Sequence, residues 1–372
     1  MFPGTGILHG LCAALAMAAF APLSLRAQQD SIPPAEEEDY SQYDDLGFAD
    51  EKARRYAHPK ILDLSPQRFA SVMWDAQGAY TMQSSLRGTW PEDADAPVAE
   101  EARANYTGGL RVQANIPVVS RNSIVWQMAA NYWDVRYSLA STSSATNAAG
   151  LLNILGDRGL RTAGLGTTIF KPLSETAFLI VQASADLSGD HFLDDPQGLE
   201  YLRWSGAVIW GERPHDRLQW GVGLSRTYRV GALNYIPVLM YNYTAANRKW
   251  GTEILFPARA HYRRTFSPRS LLLTGYELEG QSYRIAGLST DANSFEVRRG
   301  ELRLRAEYQR QLKGFVWLSV QAGYRHDWSF DADELPGGNE FFRGFFGDQP
   351  FAMRNSLGGA PYVQVGAHLV SP

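Results

Sequence analysis

The residues in this chain that could do chemistry are charges set at every second position within apolar stretches. They are Glu277 and Glu279, then Glu301, Arg303, Arg305 and Glu307, with Arg259, Arg263 and Arg325 on neighbouring stretches. Leu302, Leu304 and Ala306 fill the alternate positions of the middle set. A period of two puts the charges on one face of a strand and the apolar residues on the other. Counted from the tight turns near residues 267 and 312, Glu277 and Glu279 meet Arg303 and Arg305 at about mid-height. Such a cluster can do one of two things. It can fill an interior with mutually neutralising pairs, or it can line a constriction whose rows of arginine and glutamate sort solutes by charge. Thr162, Gly164, Gly166 and Thr168 form a small-residue wall by the same parity, leaving room opposite the charges.

A second candidate is the loop 329–356, which carries Phe341, Phe342, Phe345 and Phe346. Four phenylalanines are not left in water. They are expected to pack on the base of the loop, fold inward, or form a platform for apolar ligands. Other chemistry is poorly supplied. His326 and Ser329 lack any nucleophile motif, so no catalytic residue and no enzymatic activity are expected. Asp331, Asp333 and Glu334, like Asp194 and Asp195, have spacing suited to oxygen ligation, but loop acids are ordinarily solvated, so no metal and no cofactor are expected.

The positioning elements are long strands. The stretch 301–309, the turn 310–314 and the stretch 315–324 read as a β-hairpin whose arms match the ~9–11 residues a tilted strand needs to cross a bilayer. Alternating segments continue from residue 69, near 69–83, 106–118, 123–137, 160–171, 176–187, 201–210, 217–230, 235–243, 250–264, 270–284, 297–310, 315–328 and 358–370. Short turns alternate with long connectors, as in a membrane barrel. Pro257 stands in the middle of 250–264, where an interior strand position excludes it. Splitting there makes fourteen strands, with twelve as the fallback. Helical periodicity is nearly absent, with 145–155 the one candidate for a short loop helix. If Leu304 faces lipid, Leu304→Arg should be costly and Arg305→Leu far less so.

The N-terminus differs. Residues 1–27 read as a signal peptide with an apolar core at 7–20, and the single cysteine, Cys12, lies inside it. Residues 28–68 form an acidic segment expected to be largely disordered and periplasmic. The chain carries a net charge of −4: residues 28–68 hold ten acids against five bases, Arg26 adds one positive charge, and residues 69–372 sum to zero. Nothing is basic enough to suggest nucleic acid.

With its signal segment, long alternating strands, asymmetric connectors and a final alternating stretch at 361–369, the sequence resembles bacterial outer-membrane β-barrel proteins, in particular barrel families of unknown function. The resemblance covers residues 69–372. It implies an all-β fold, a transmembrane antiparallel β-barrel in the cell outer membrane, with membrane lipid and the barrel-assembly machinery as partners. The expected function is a passive or selective channel for small solutes; the alternative is a closed structural, adhesive or docking barrel that works through its extracellular loops.

Overall fold

A computed structural model of the chain describes residues 57–86, 98–140, 150–192, 198–228, 233–288, 293–336 and 351–370. Its strands are β1 (Arg68–Gln77), β2 (Tyr80–Leu86), β3 (Val98–Arg121), β4 (Ile124–Leu139), β5 (Leu160–Pro172), β6 (Ala177–Gly189), β7 (Leu202–His215), β8 (Leu218–Thr227) and β9 (Asn234–Thr244). They continue with β10 (Trp250–Phe256), β11 (Arg259–Ser267), β12 (Ser270–Arg284), β13 (Asn293–Lys313), β14 (Val316–Ser329), β15 (Ala332–Pro336), β16 (Met353–Leu357) and β17 (Ala360–Val370). One short helix, α1 (Leu151–Asp157), precedes β5, slightly later than the alternation had suggested.

The antiparallel ladders run β1–β3–β4 and onward through β14 to β17, which pairs back with β1 through Val72↔Ala367. The sheet therefore closes into a barrel of fourteen staves. Three of these staves are interrupted. Gly78 and Ala79 separate β1 from β2, Phe330 and Asp331 separate β14 from β15, and Gly358 and Gly359 separate β16 from β17. Beyond the breaks, β2, β16 and β15 continue the wall between the long β3 and β13. The split at Pro257 is present, and β10 and β11 form a short hairpin on either side of it with a cis Phe256–Pro257 peptide. The fourteen-strand count stands because a proline cannot continue a ladder that needs its N–H.

Closure inverts the usual placement of residues. Leu304 is 52% exposed on the outer face while its neighbour Arg303 is 2% exposed inside. Leu165, Val208, Val222, Leu224, Leu239, Leu318, Val320, Val363, Val365 and Leu369 extend the same exposed apolar band around the staves. A soluble sheet would leave no such continuous patch; a membrane barrel requires one. Aromatic rings edge the band at the short-turn end. Trp210 packs on Trp220 at 5.8 Å, Tyr243 on Trp250 at 5.6 Å, and Trp250 on Tyr262 at 6.1 Å. Rings at this level form the interfacial girdle of a transmembrane barrel.

Both ends carry apolar packing inside the wall. At the long-loop end, Leu151, Leu152 and Leu155 of α1 are buried with Tyr80, Met82, Tyr137, Tyr283, Phe330 and Met353. At the short-turn end, Ala57 joins Phe170, Phe178, Ile209 and Met240. Of the 28–68 segment the structure describes 57–68; residues 57–67 follow the inner rim and Arg68 opens β1. The amide of Ala57 donates to the Ser174 carbonyl at 2.9 Å and that of Leu62 to Asp216 at 2.8 Å. Asp63 pairs with Arg248 in the β9–β10 turn, and both the amide and the hydroxyl of Ser65 donate to Glu253. The signal segment and the acidic residues up to 56 lie outside the described residues.

Candidate functional site

The inward charges gather on one side of the barrel, on β1, β3, β12, β13 and β14. Alternation places them there, and the register sets Arg303 beside Glu277, Glu279 beside Glu301, and Arg303 beside Arg325. Two adjacent arginines at one level need carboxylates from several staves. Arg303 Nη1 reaches Glu279 Oε2 at 2.6 Å, and the same guanidinium pairs with Glu301. Arg325 Nη2 donates to both Asp75 carboxylate oxygens at 2.7 Å, and Nη1 donates to Gln77 Oε1 at 2.9 Å. Arg111 grips Glu279 with bonds of 2.5 and 2.9 Å and lies over the Trp133 ring at 3.7 Å. Arg299 pairs with Glu301 at 2.7 Å and approaches Asp327 at 3.7 Å. Arg305 bridges Glu277 and Glu307, and Arg68 closes the chain on Glu307. Six guanidiniums thus meet six carboxylates, so the cluster is neutral as a whole.

Arg259 and Arg263 belong to the adjoining β11. Arg263 is fully buried between Glu253 at 2.5 Å and the Thr244 hydroxyl at 2.8 Å. Arg259 lies beside Glu277 in the ladder, at the tip of the short hairpin, and is exposed. The nine charges picked out by sequence therefore share one tract of wall. Asp75, Arg111, Arg299 and Asp327, also part of it, carry the same signal: charged residues at alternate positions of apolar strands.

The opposite wall is different in kind. Gly164, Gly166 and Thr168 face Asn131, Ala129 and Gln127 across the β4–β5 ladder. A Cβ at Gly164 would stand 1.8 Å from the Asp186 carboxylate that takes a 3.0 Å bond from Asn131, so a larger residue there would displace that pair. Ser184 and Ser205 hydroxyls bond at 2.8 Å on β6 and β7. Gln182, inward on β6, is exposed. Exposure of an inward residue means solvent inside the wall, and it occurs here and at Arg259 on the short hairpin, not among the buried pairs of β1, β3, β13 and β14. The interior is therefore filled on the β1–β3–β13–β14 side and open at mid-height beside β4 to β9.

Within the ion pairs bordering that space, the carboxylates face it more than the cations do. Glu279 keeps 19% of its side-chain surface against 2% for Arg303, Glu253 18% against 0% for Arg263, and Glu277 23% against 10% for Arg305. Arg68, with Glu307 buried beside it, is the reverse case at the inner end. At the long-loop end the space narrows, because β6 and β12 touch across it: Gly189 is bridged to Arg284 and the Asp190 amide donates to the Arg284 carbonyl at 3.1 Å. Glu296 of β13 pairs there with Arg203 of β7 and accepts from Ser282 at 2.9 Å.

The remaining candidates resolve simply. His326 is exposed on the outer face and Ser329 donates to the Arg298 carbonyl at 3.3 Å. Asp333 pairs with Arg298, and Asp331 accepts the Asn355 amide at 2.9 Å. Phe341, Phe342, Phe345 and Phe346 lie outside the described residues, as do Asp194 and Asp195.

Residues 103–369 match a family model described as Domain of unknown function (DUF6268). The chain belongs to this family. No curated protein matches it. Among solved structures, DUF6268's present member is similar to an outer membrane channel from Pseudomonas putida F1, at 11% identity and a TM-score of 0.34, over 86% of this chain and 98% of that one. A deletion mutant of the TodX monoaromatic hydrocarbon channel matches at 7% identity and a TM-score of 0.29, over 83% and 92%. The outer membrane protease OmpT from Escherichia coli matches at 7% and 0.25, over 83% and 99%.

Proposed function

We propose that this DUF6268 chain is a non-enzymatic outer-membrane channel for small solutes, and that its passage runs off-centre, between the small-residue wall of β4 to β9 and the carboxylate edge of the ion-pair cluster. Residues 1–27 direct its export, and the barrel-assembly machinery inserts it. The observation that carries the reading is the solvent-exposed, inward Gln182 at mid-height, opposite an interior sealed by buried pairs. The charge cluster then has both roles weighed above: it braces one wall and turns Glu253, Glu277 and Glu279 toward the passage. Carboxylates facing a narrow, low-dielectric space favour cations.

Reconstitution of the full chain in planar bilayers tests this. Discrete ohmic steps are expected, with a reversal potential in a potassium chloride gradient that favours potassium over chloride. In Glu277→Gln/Glu279→Gln, which leaves Arg111, Arg303 and Arg305 in excess, the preference should shift toward chloride; an unchanged reversal potential would contradict the assignment of the lining. The second reading, a closed barrel working through its loops, is favoured by the β6–β12 contact and the buried apolar layer around α1. A folded, heat-modifiable barrel that carries no current would support it instead.

A further inference from the structure

The wall has a notch. The ladder between β9 and β10 ends at Leu239↔Phe256, and that between β11 and β12 ends at Arg259↔Glu277, because the β10–β11 hairpin turns at Pro257. Above that level β9 continues to Asn234 and β12 to Arg284, and among the described residues no strand lies between them. Pro237 stands in this upper part of β9, and a proline inside a strand is confined to sheet edges or bulges. It also removes one backbone donor that the hydrocarbon region would leave without water.

The notch opens within the bilayer and not above it. Tyr235, exposed on the outer face, marks the outer interface on β9, and Tyr241 and Tyr243 mark the inner end. Leu239 lies four residues below Tyr235, about 10 Å along the axis for ~3.4 Å per residue at a tilt of ~40°. On the β9 and hairpin sides the outer rim is apolar, with Leu239, Phe256 and Tyr235 all exposed, and the β12 side continues from Leu278 through Gly280 to Ser282. Inward Ile236 and Val238 on β9 are half-buried just behind it; Val238 packs on the buried cluster of Phe178, Ile209 and Met240, and the exposed Gln182 of β6 lies beyond it. The axial way outward is narrowed by the β6–β12 contact, so the notch offers a second exit from that side of the lumen.

We infer that the gap between β9 and β12 above the β10–β11 hairpin is a lateral portal, through which small, uncharged, apolar molecules pass between the lumen and the outer leaflet. The inference rests on the passage proposed above and names its substrate class. A water-soluble solute gains nothing from an exit into hydrocarbon, whereas an apolar one moves from a half-polar lumen past Val238 and Phe256 into its preferred solvent.

Lipid-attached quenchers test the portal without relying on transport. With Cys12 replaced by serine, Ile236→Cys places a thiol-linked fluorophore inside the wall at the notch, Ala129→Cys places one inside the intact wall, and Leu239→Cys places one on the lipid face. In vesicles containing lipids with nitroxide-bearing acyl chains, quenching at 236 should exceed that at 129 several-fold and approach that at 239. Equal quenching at 236 and 129, with strong quenching at 239 showing a correctly inserted barrel, would overturn the portal while leaving the conductance prediction standing. A correctly inserted barrel that conducts nothing would overturn the passage, and the inference with it.

Discussion

Arg303→Met is expected to lower the unfolding free energy by about 3–5 kcal/mol, the cost of breaking a buried ion pair by removing one partner. Arg303 is all but inaccessible, touches both Glu279 and Glu301, and has Asp75 3.8 Å away. Taking it away leaves Asp75, Glu279, Glu301 and Asp327 in a low-dielectric interior against Arg111, Arg299 and Arg325, one positive charge short. The neutral methionine fills a similar volume, so the loss is electrostatic and not a cavity. Urea unfolding in lipid vesicles, followed by tryptophan fluorescence, measures it. The double variant Arg303→Met/Glu279→Gln should cost less than the two single changes added, because the partners form one network. A change within about 1 kcal/mol for Arg303→Met would mean that the cluster is hydrated and its pairs are worth no more than surface pairs.

Leu304→Arg, one residue along and on the opposite face, is expected to cost about 2–4 kcal/mol, the depth-dependent penalty of an arginine on the lipid face near the midplane. Leu304 is outward and opposite Tyr276 and Tyr324 in its two ladders, well inside the apolar band. Leu312→Arg makes the control. Leu312 is as exposed as Leu304 but sits at the β13–β14 turn, where the penalty falls to about 0–1 kcal/mol. In a water-soluble barrel the two substitutions would be equally mild, so equal small effects would argue against membrane insertion.

The architecture was legible because alternation over ten or more residues survives any tertiary context: a slip of one residue would send Glu301, Arg303, Arg305 and Glu307 of β13 into lipid. Pro257 gave the strand count for a chemical reason, the missing N–H. The strand expected near 69–83 is interrupted at Gly78 and Ala79, and the one expected at 358–370 begins at Ala360, with the unexpected β16 before the Gly358–Gly359 pair, since these breaks are set by the partners of β2 and β16. Periodicity also assigned Arg305 to the lumen but could not tell how it is paired. Alternation alone makes Arg305→Leu far milder than Leu304→Arg, yet Arg305 bridges Glu277 and Glu307, so its removal carries the cost of a broken pair and not of a solvated charge. The asymmetry of the interior was the least legible feature. It depends on which guanidinium reaches across to which stave, as Arg111 of β3 does to Glu279 of β12, and contacts of that kind have no local pattern.

The passage itself is tested most directly at Gln182. In a Cys12→Ser background, Gln182→Cys should conduct like the parent chain, and a charged methanethiosulfonate added during a single-channel recording should reduce its current irreversibly, since the new group stands in the lumen opposite the carboxylate edge. The same reagent should leave the current of Leu165→Cys, which faces lipid at a comparable height, unchanged. A Gln182→Cys channel whose current ignores the reagent, although the thiol is modified, would contradict a passage along the β4 to β9 wall.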